Sequence, residues 1–176
     1  MKDSLEMLKL QQLVENGQNV LLFGPETPKS QLTVKNYFRT LQSHGKKVTT
    51  VEISDSWNAL EFSNRLSSAI IETFQSIPVH MHSRKDLRYQ VILEDALSWA
   101  NHQCMENECH LVIVLKEFHL LKDMFGGRVD AAFRTVIQRT RNISFVFMSS
   151  EKEALSRMFI HKSQPLYGMA SSINIS

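Results

Sequence analysis

Cysteine is scarce in this chain, with two among 176 residues, Cys104 and Cys109. That excludes the multi-bridge framework on which small secreted domains depend. Charge of one sign is also lacking. The formal net charge is +2 with histidine neutral, too near balance to point to nucleic acid or a membrane surface as a partner. Long apolar runs are missing as well. The longest, Leu111 to Leu115, is far too short to cross a bilayer. Met1 to Leu10 is charged and periodic and has no apolar signal-peptide stretch. There is no internal repeat, low-complexity tract or linker composition. The expectation is a cytoplasmic protein whose residues 1–176 form one domain, large enough and, at 43% hydrophobic, apolar enough for a sizeable core.

What is present alternates between two periodicities. Asp3 and Glu6 have the spacing of a capping box, and Leu5, Leu8, Leu13 and Val14 follow on a helix that Gly17 closes as a left-handed cap. Asn19 to Phe23 is a nearly all-apolar strand. A helix carrying Leu32, Val34, Tyr37, Phe38 and Leu41 comes next and stops near Gly45. Lys47 to Ile53 is a β-branched second strand. Helices are predicted over Trp57–Ile77, ended by Pro78, and over Leu87–Ala100, with a polar loop at Pro78 to Lys85 between them. Leu111 to Leu115 is the third strand. Gly126-Gly127 precede a helix from Val129 to Arg139, Ile143 to Met148 is the fourth strand, Glu151 to Ile160 a short helix, and Ser172 to Ile175 a fifth strand. Such alternation predicts an α/β fold of three layers, a mainly parallel sheet with helices on both faces. Ligands in such sheets bind beyond the carboxyl ends of the strands. Residues just after each strand are therefore the candidates.

After the first strand the chain reads Gly24-Pro25-Glu26-Thr27-Pro28-Lys29-Ser30. A phosphate-binding loop of the form G-x-x-x-x-G-K-[ST] surrounds phosphates with backbone N–H groups, while its Lys reaches the terminal phosphate oxygens and its hydroxyl binds Mg²⁺. Gly24, Lys29 and Ser30 stand in the right order between strand and helix. The loop is one residue short, however, and Pro28 replaces the second glycine. Proline has no N–H to donate and a fixed φ. Read structurally, Thr27 is an N-cap, Pro28 the first helical residue, and Lys29-Ser30 the start of the helix. Retained phosphate binding is the alternative.

After the third strand comes Lys116-Glu117. Phosphoryl-transfer sites of this plan place Asp-Glu here, with the Asp on Mg²⁺ and the Glu orienting the attacking water. An ammonium about 4 Å from a bound cation costs several kcal/mol in a partly buried site. Lys116 is expected instead to pair with Glu117 or with a bound anion, and Asp123 lies too far along to replace it as a metal ligand.

Taken together, NVLLFGPETPKS, LVIVLKEFHLL, FRTVIQRTRNISFVFMSSEKEALSRMF and the turn Gln164 to Gly168 resemble, in order, the archaeal-type ATPase family, a P-loop group near the AAA+ and STAND ATPases. The resemblance covers nearly the whole chain and is closer in the second half than in the two motifs. It implies sheet order 5-1-4-3-2. Gly24, Lys29 and Ser30 would correspond to the phosphate loop, Glu117 to the catalytic acid, and Ser150 to the polar sensor at the end of the fourth strand. Pro28, Lys116 and Ser149 depart from the family pattern, which has glycine, aspartate and glycine there. With the fifth strand ending the sequence, the family's helical lid is not expected.

Other signals have plainer readings. His102, Cys104, Cys109 and His110 cluster in sequence but lack the paired spacing of a structural zinc site, so no metal is assigned. His80 and His82 read as solvated, and Arg134, Arg139 and Arg141 as an exposed helix face rather than a nucleic-acid stripe. Arg157 is placed where an arginine finger could sit. The function these features predict is that of a degenerate ATPase-like domain that does not hydrolyse ATP and acts as a protein-binding or regulatory module. Its partner is expected to be a protein, with an intact ATPase relative as one possibility. Nucleic acid and membrane are not expected, and no cofactor is assigned. The alternative is an ATP-binding P-loop protein of AAA+ or STAND type with weak or no ATPase activity.

Overall fold

The computed structural model describes residues 2–24, 27–76, 88–124 and 129–175. Its strands are β1 (Val20–Phe23), β2 (Lys47–Glu52), β3 (Leu111–Lys116), β4 (Ile143–Ser149) and β5 (Ser171–Asn174). The helices are α1 (Lys2–Glu15), α2 (Pro28–Ser43), α3 (Ala59–Phe74), α4 (Tyr89–Glu106), α5 (Leu121–Met124), α6 (Val129–Arg139) and α7 (Lys152–Ile160). The strands form one sheet in the order β2-β3-β4-β1-β5, and every neighbouring pair is parallel. This is the expected order, read from the other edge.

The central strands read as continuous apolar runs because both of their faces are covered. Leu21, Phe23, Ile113, Leu115, Phe145 and Phe147 face α3, α4, α6 and α7, where Phe62, Leu97, Phe133 and Phe159 complete the larger core. Val20, Leu22, Val112, Val114, Val146 and Met148 face α1 and α2, against Leu10, Val14, Val34 and Leu41. Phe118 opens a short 3-10 turn just after β3 and is fully buried. Its ring lies 4.5 Å from Phe147, 5.2 Å from Phe133 and 6.0 Å from Phe159. This anchor fixes the residues on either side of it, Glu117 and His119, at the strand end.

Three helices end in the same way. In the Schellman motif a left-handed C′ residue lets the next N–H reach back five residues. At α1 Gly17 (φ 71°) is C′ and Gln18 N–H donates to Leu13 O at 2.9 Å. At α2 Gly45 (φ 80°) is C′ and Lys46 N–H donates to Leu41 O at 3.1 Å. At α4 the C′ residue is Glu108 (φ 48°), and Cys109 N–H donates to Cys104 O at 2.9 Å.

Several boundaries differ from those the sequence suggests. Helix α1 begins at Lys2, so Asp3 lies inside its first turn rather than capping it. Helix α3 begins at Ala59, not Trp57, because the Asn58 side chain accepts the Glu61 N–H at 2.9 Å while Glu61 Oε2 accepts the Trp57 N–H at 2.8 Å. It ends at Phe74 with Gln75 left-handed, before Pro78 is reached. Helix α4 runs on to Glu106, since Leu93, Leu97, Ala100 and Cys104 continue one buried stripe. The predicted loop Pro78 to Lys85, with His80 and His82, lies outside the described residues, as do Gly126-Gly127 and Pro25-Glu26.

Candidate functional site

The carboxyl ends of β1, β3 and β4 converge, as the sequence predicts for Gly24 and Glu117. Phe23 is in register with Ser149, and Leu115 with Phe147. Gly24 is left-handed (φ 57°), and its N–H donates to Ser149 O at 3.4 Å. Pro28 is the first residue of α2, and the Thr27 carbonyl accepts the Gln31 N–H at 3.0 Å. The segment therefore has the geometry of the structural reading, in which Thr27 precedes the helix and Pro28 occupies the position where a missing N–H costs least. Lys29 is exposed, with its carbonyl accepting from Thr33 Oγ1 at 3.0 Å. Ser30 sits in the first turn of α2; its side chain is outside the described residues.

Glu117 adopts φ 55°, ψ 42°, a left-handed conformation that costs a non-glycine residue roughly 1–2 kcal/mol. The bend turns its carboxylate across the crevice to β4. Ser150 Oγ donates to Oε2 at 2.8 Å, and the Ser150 N–H lies 3.2 and 3.3 Å from the two oxygens. His119 Nδ1 stands 3.5 Å from the same Oε2 and 2.7 Å from Ser149 Oγ. Ser149 Oγ also accepts the Glu151 N–H at 2.9 Å. With Glu151 Oε1 at 3.9 Å from His119 Nε2, a serine, a histidine and two acids in contact invite comparison with a nucleophilic triad. Ser149 is 1% exposed and its hydroxyl is held between His119 and the Glu151 backbone, so the group works as a clamp between the ends of β3 and β4.

Lys116 does not pair with Glu117. Its Nζ lies 3.6 Å from Glu52 Oε2, because the β2–β3 register sets Glu52 directly beside it while the bend at Glu117 carries that carboxylate the other way. Glu52 also accepts from Ser54 Oγ at 3.1 Å. Glu52 and His119 are the two site residues that sequence reasoning missed. Glu52 becomes visible only once strand order and register are known.

A groove of about 1060 Å³ runs from this edge down the face of β2, β3 and β4 beneath α2. Val48, Thr50, Val114 and Met148 form its floor, Leu32, Lys35, Phe38 and Arg39 its α2 wall, and Glu52, Lys116, Glu117 and Ser150 its mouth. Pro28 also lines it, whereas Gly24 and Lys29 are not among its described lining residues. The structure thus brings Glu117, Ser150 and Lys116 together on one groove.

No protein-family model matches the sequence, and no curated protein matches it. Solved structures do. A Walker-type ATPase of Pyrococcus abyssi superposes with TM-score 0.71 at 16% identity, over 97% of this chain and 52% of that one. The ORC1 protein of Aeropyrum pernix, solved in complex with DNA, gives 0.64 at 13% identity over 98% and 44%. A chain of Drosophila ORC bound to DNA gives 0.60 at 15% over 99% and 89%. The fold is that of the P-loop ATPases. At such identities the likeness extends to the fold alone, and this chain spans about half the length of the two archaeal proteins.

The remaining sequence candidates have partners close by. His102 Nδ1 faces Glu106 Oε2 at 3.3 Å, and His110 Nε2 bonds Ser144 Oγ at 2.8 Å. Among the described residues no group of three or more His, Cys, Asp or Glu side chains is arranged to hold a metal. Arg134 Nη1 donates to Pro165 O at 3.0 Å, and Arg157 pairs with Glu153 at 3.5 Å on its own helix. No described helix is long and apolar enough to cross a membrane.

Proposed function

We propose that this chain is a P-loop ATPase-fold module of the cytoplasm that does not hydrolyse ATP and acts by binding another protein. The observation that carries the reading is the Lys116–Glu52 pair at 3.6 Å. An ammonium with its counter-ion occupies the position where Mg²⁺ chemistry calls for a free carboxylate. Three further features support it. Pro28 offers no N–H to a phosphate, the Glu117 carboxylate is committed to Ser150, and the glycine position before the sensor carries a serine locked to His119.

Binding to protein is supported by apolar side chains left in water at the same end of the fold. Trp57 is 89% exposed just beyond β2, and Leu32 is 56% exposed on the groove wall. Large aromatic anchors of this kind dominate protein interfaces. A partner that is itself an ATPase-fold chain fits the Drosophila neighbour, which was solved as part of ORC. The near-neutral charge argues against nucleic acid, but the DNA-bound neighbours give that exclusion no support. The second reading, ATP binding with weak or no turnover, draws on the retained Gly24-to-Lys29-Ser30 order between β1 and α2.

Phosphate release from Mg-ATP tests the main reading. Release is expected to stay at the no-protein background, in the wild type and in Glu117→Gln alike. Turnover that Glu117→Gln abolishes would overturn the proposal.

A further inference from the structure

At the opposite edge of the sheet, the amino ends of β2, β3 and β4 enclose a second depression of about 620 Å³. Both of the chain's cysteines open onto it, together with His44, Lys46 and His110. Their placement follows from the way α4 ends. In a Schellman motif the C3 and C″ side chains are brought into contact across the turn. At α1 those positions hold Leu13 and Gln18 and at α2 Leu41 and Lys46, but at α4 they hold Cys104 and Cys109. Cys109 N–H donates to Cys104 O at 2.9 Å, and both side chains line the same depression. The two are not bridged; Cys104 is buried and Cys109 half-buried.

We propose that Cys104 and Cys109 form a redox-sensitive dithiol that low-molecular-weight disulfides convert to an intrachain bridge. The roles of the two thiols differ. Burial, then the neighbouring Cys109 thiol, which favours the protonated form, push the Cys104 thiol up to about 12, so Cys104 does not start the reaction. The Cys109 thiolate, which solvent reaches, attacks the oxidant's sulfur–sulfur bond and expels one small thiolate. The Cys104 thiol then gives up its proton and attacks the Cys109 sulfur, expelling the second small thiolate. One disulfide is reduced to two thiols as two protein thiols become one bridge. Thiol–disulfide exchange in a reducing compartment takes this reversible form. The site lies a strand's length from the Glu117 groove and does not depend on the function proposed for it.

Glutathione disulfide is the probe. The folded protein is incubated with it, blocked with iodoacetamide, and analysed without reduction by mass spectrometry of the peptide spanning residues 89–116, which contains both cysteines. Loss of both alkylation sites together, with the peptide lighter by two hydrogen atoms and no glutathione attached, is the expected result. Cys104→Ser should instead trap a stable glutathione adduct on Cys109. Cys109→Ser should leave Cys104 free of glutathione adduct while the far-ultraviolet spectrum remains native. A persistent glutathione adduct on the wild-type protein, a disulfide-linked dimer, or two free thiols after prolonged oxidation would each overturn the proposal.

Discussion

Replacing His110 by Gln should flatten the acid limb of the stability curve, by an amount that follows from the ring's surroundings. His110 lies just before β3 with Nε2 at 2.8 Å from Ser144 Oγ, a hydroxyl with no exposure. Burial, and then the charge of Lys46, lower the imidazole from 6.5 to about 4. Above pH 6.5 the ring is neutral in both the folded and the unfolded chain, and its contribution to stability is fully present. As pH falls toward 4 the unfolded chain takes up the proton and the folded one does not, so stability is lost across that window. Each pH unit is worth about 1.36 kcal/mol, which sets a ceiling near ~3.4 kcal/mol; partial exposure and screening reduce it to about 2. Urea unfolding at about pH 7.5 and about pH 4.5 measures the loss directly. Carboxylates titrate in the same range, so the informative quantity is the difference between proteins. The Gln variant, whose amide can keep the bond to Ser144, should lose about 2 kcal/mol less than the wild type over this interval. Equal losses would refute the assignment of the acid limb to His110.

Other expectations follow from single contacts. Asn58→Ala removes the α3 cap and should lower stability by about 1 kcal/mol, or roughly 2–4 °C in melting temperature. Glu108→Gly relieves the one non-glycine C′ position among the three Schellman ends; net of the extra freedom of the unfolded chain, a gain of about 0.5–1 kcal/mol is expected by denaturant titration. Lys116→Asp should break the pair with Glu52 at a cost of at most about 1 kcal/mol without creating Mg²⁺-dependent nucleotide binding in a calorimetric titration, since Pro28 still withholds its N–H. Tight Mg-ATP binding by that variant would show the metal position, not the loop, to be the decisive defect.

Much of the fold was legible because its strands are short, apolar and separated by helical periodicity. A parallel sheet covered on both faces produces that pattern, and the strand order followed from the resemblance to the archaeal-type ATPases. Helix α6 matches its predicted bounds, Val129–Arg139, since its apolar stripe and its polar ends coincide. The ends of α3 and α4 were harder. Asn58 and Glu61 do carry a capping signal, and Cys104 does extend the stripe of α4, but neither outweighs the propensity of the adjoining residues until the packing is known. In the candidate site, Glu117 was singled out by its place after the third strand and Ser150 by the family resemblance. Their mutual hydrogen bond was not legible, because it depends on a left-handed bend at Glu117 that no local preference of glutamate would suggest. The partner of Lys116 was hidden for another reason. Glu52 is distant in sequence, and only the register of β2 on β3 makes them neighbours.

Direct titration of the folded chain with Mg-ATP tests the central proposal, that this ATPase-fold chain has lost its nucleotide chemistry. A ligand that binds only the native state both releases heat saturably and raises melting temperature as its concentration passes Kd. Calorimetry to millimolar Mg-ATP should show no saturable heat, and melting should be unchanged. A saturable one-to-one isotherm that Lys29→Ala abolishes would contradict the account, because it would mean that the Gly24-to-Ser30 segment still holds phosphate despite Pro28.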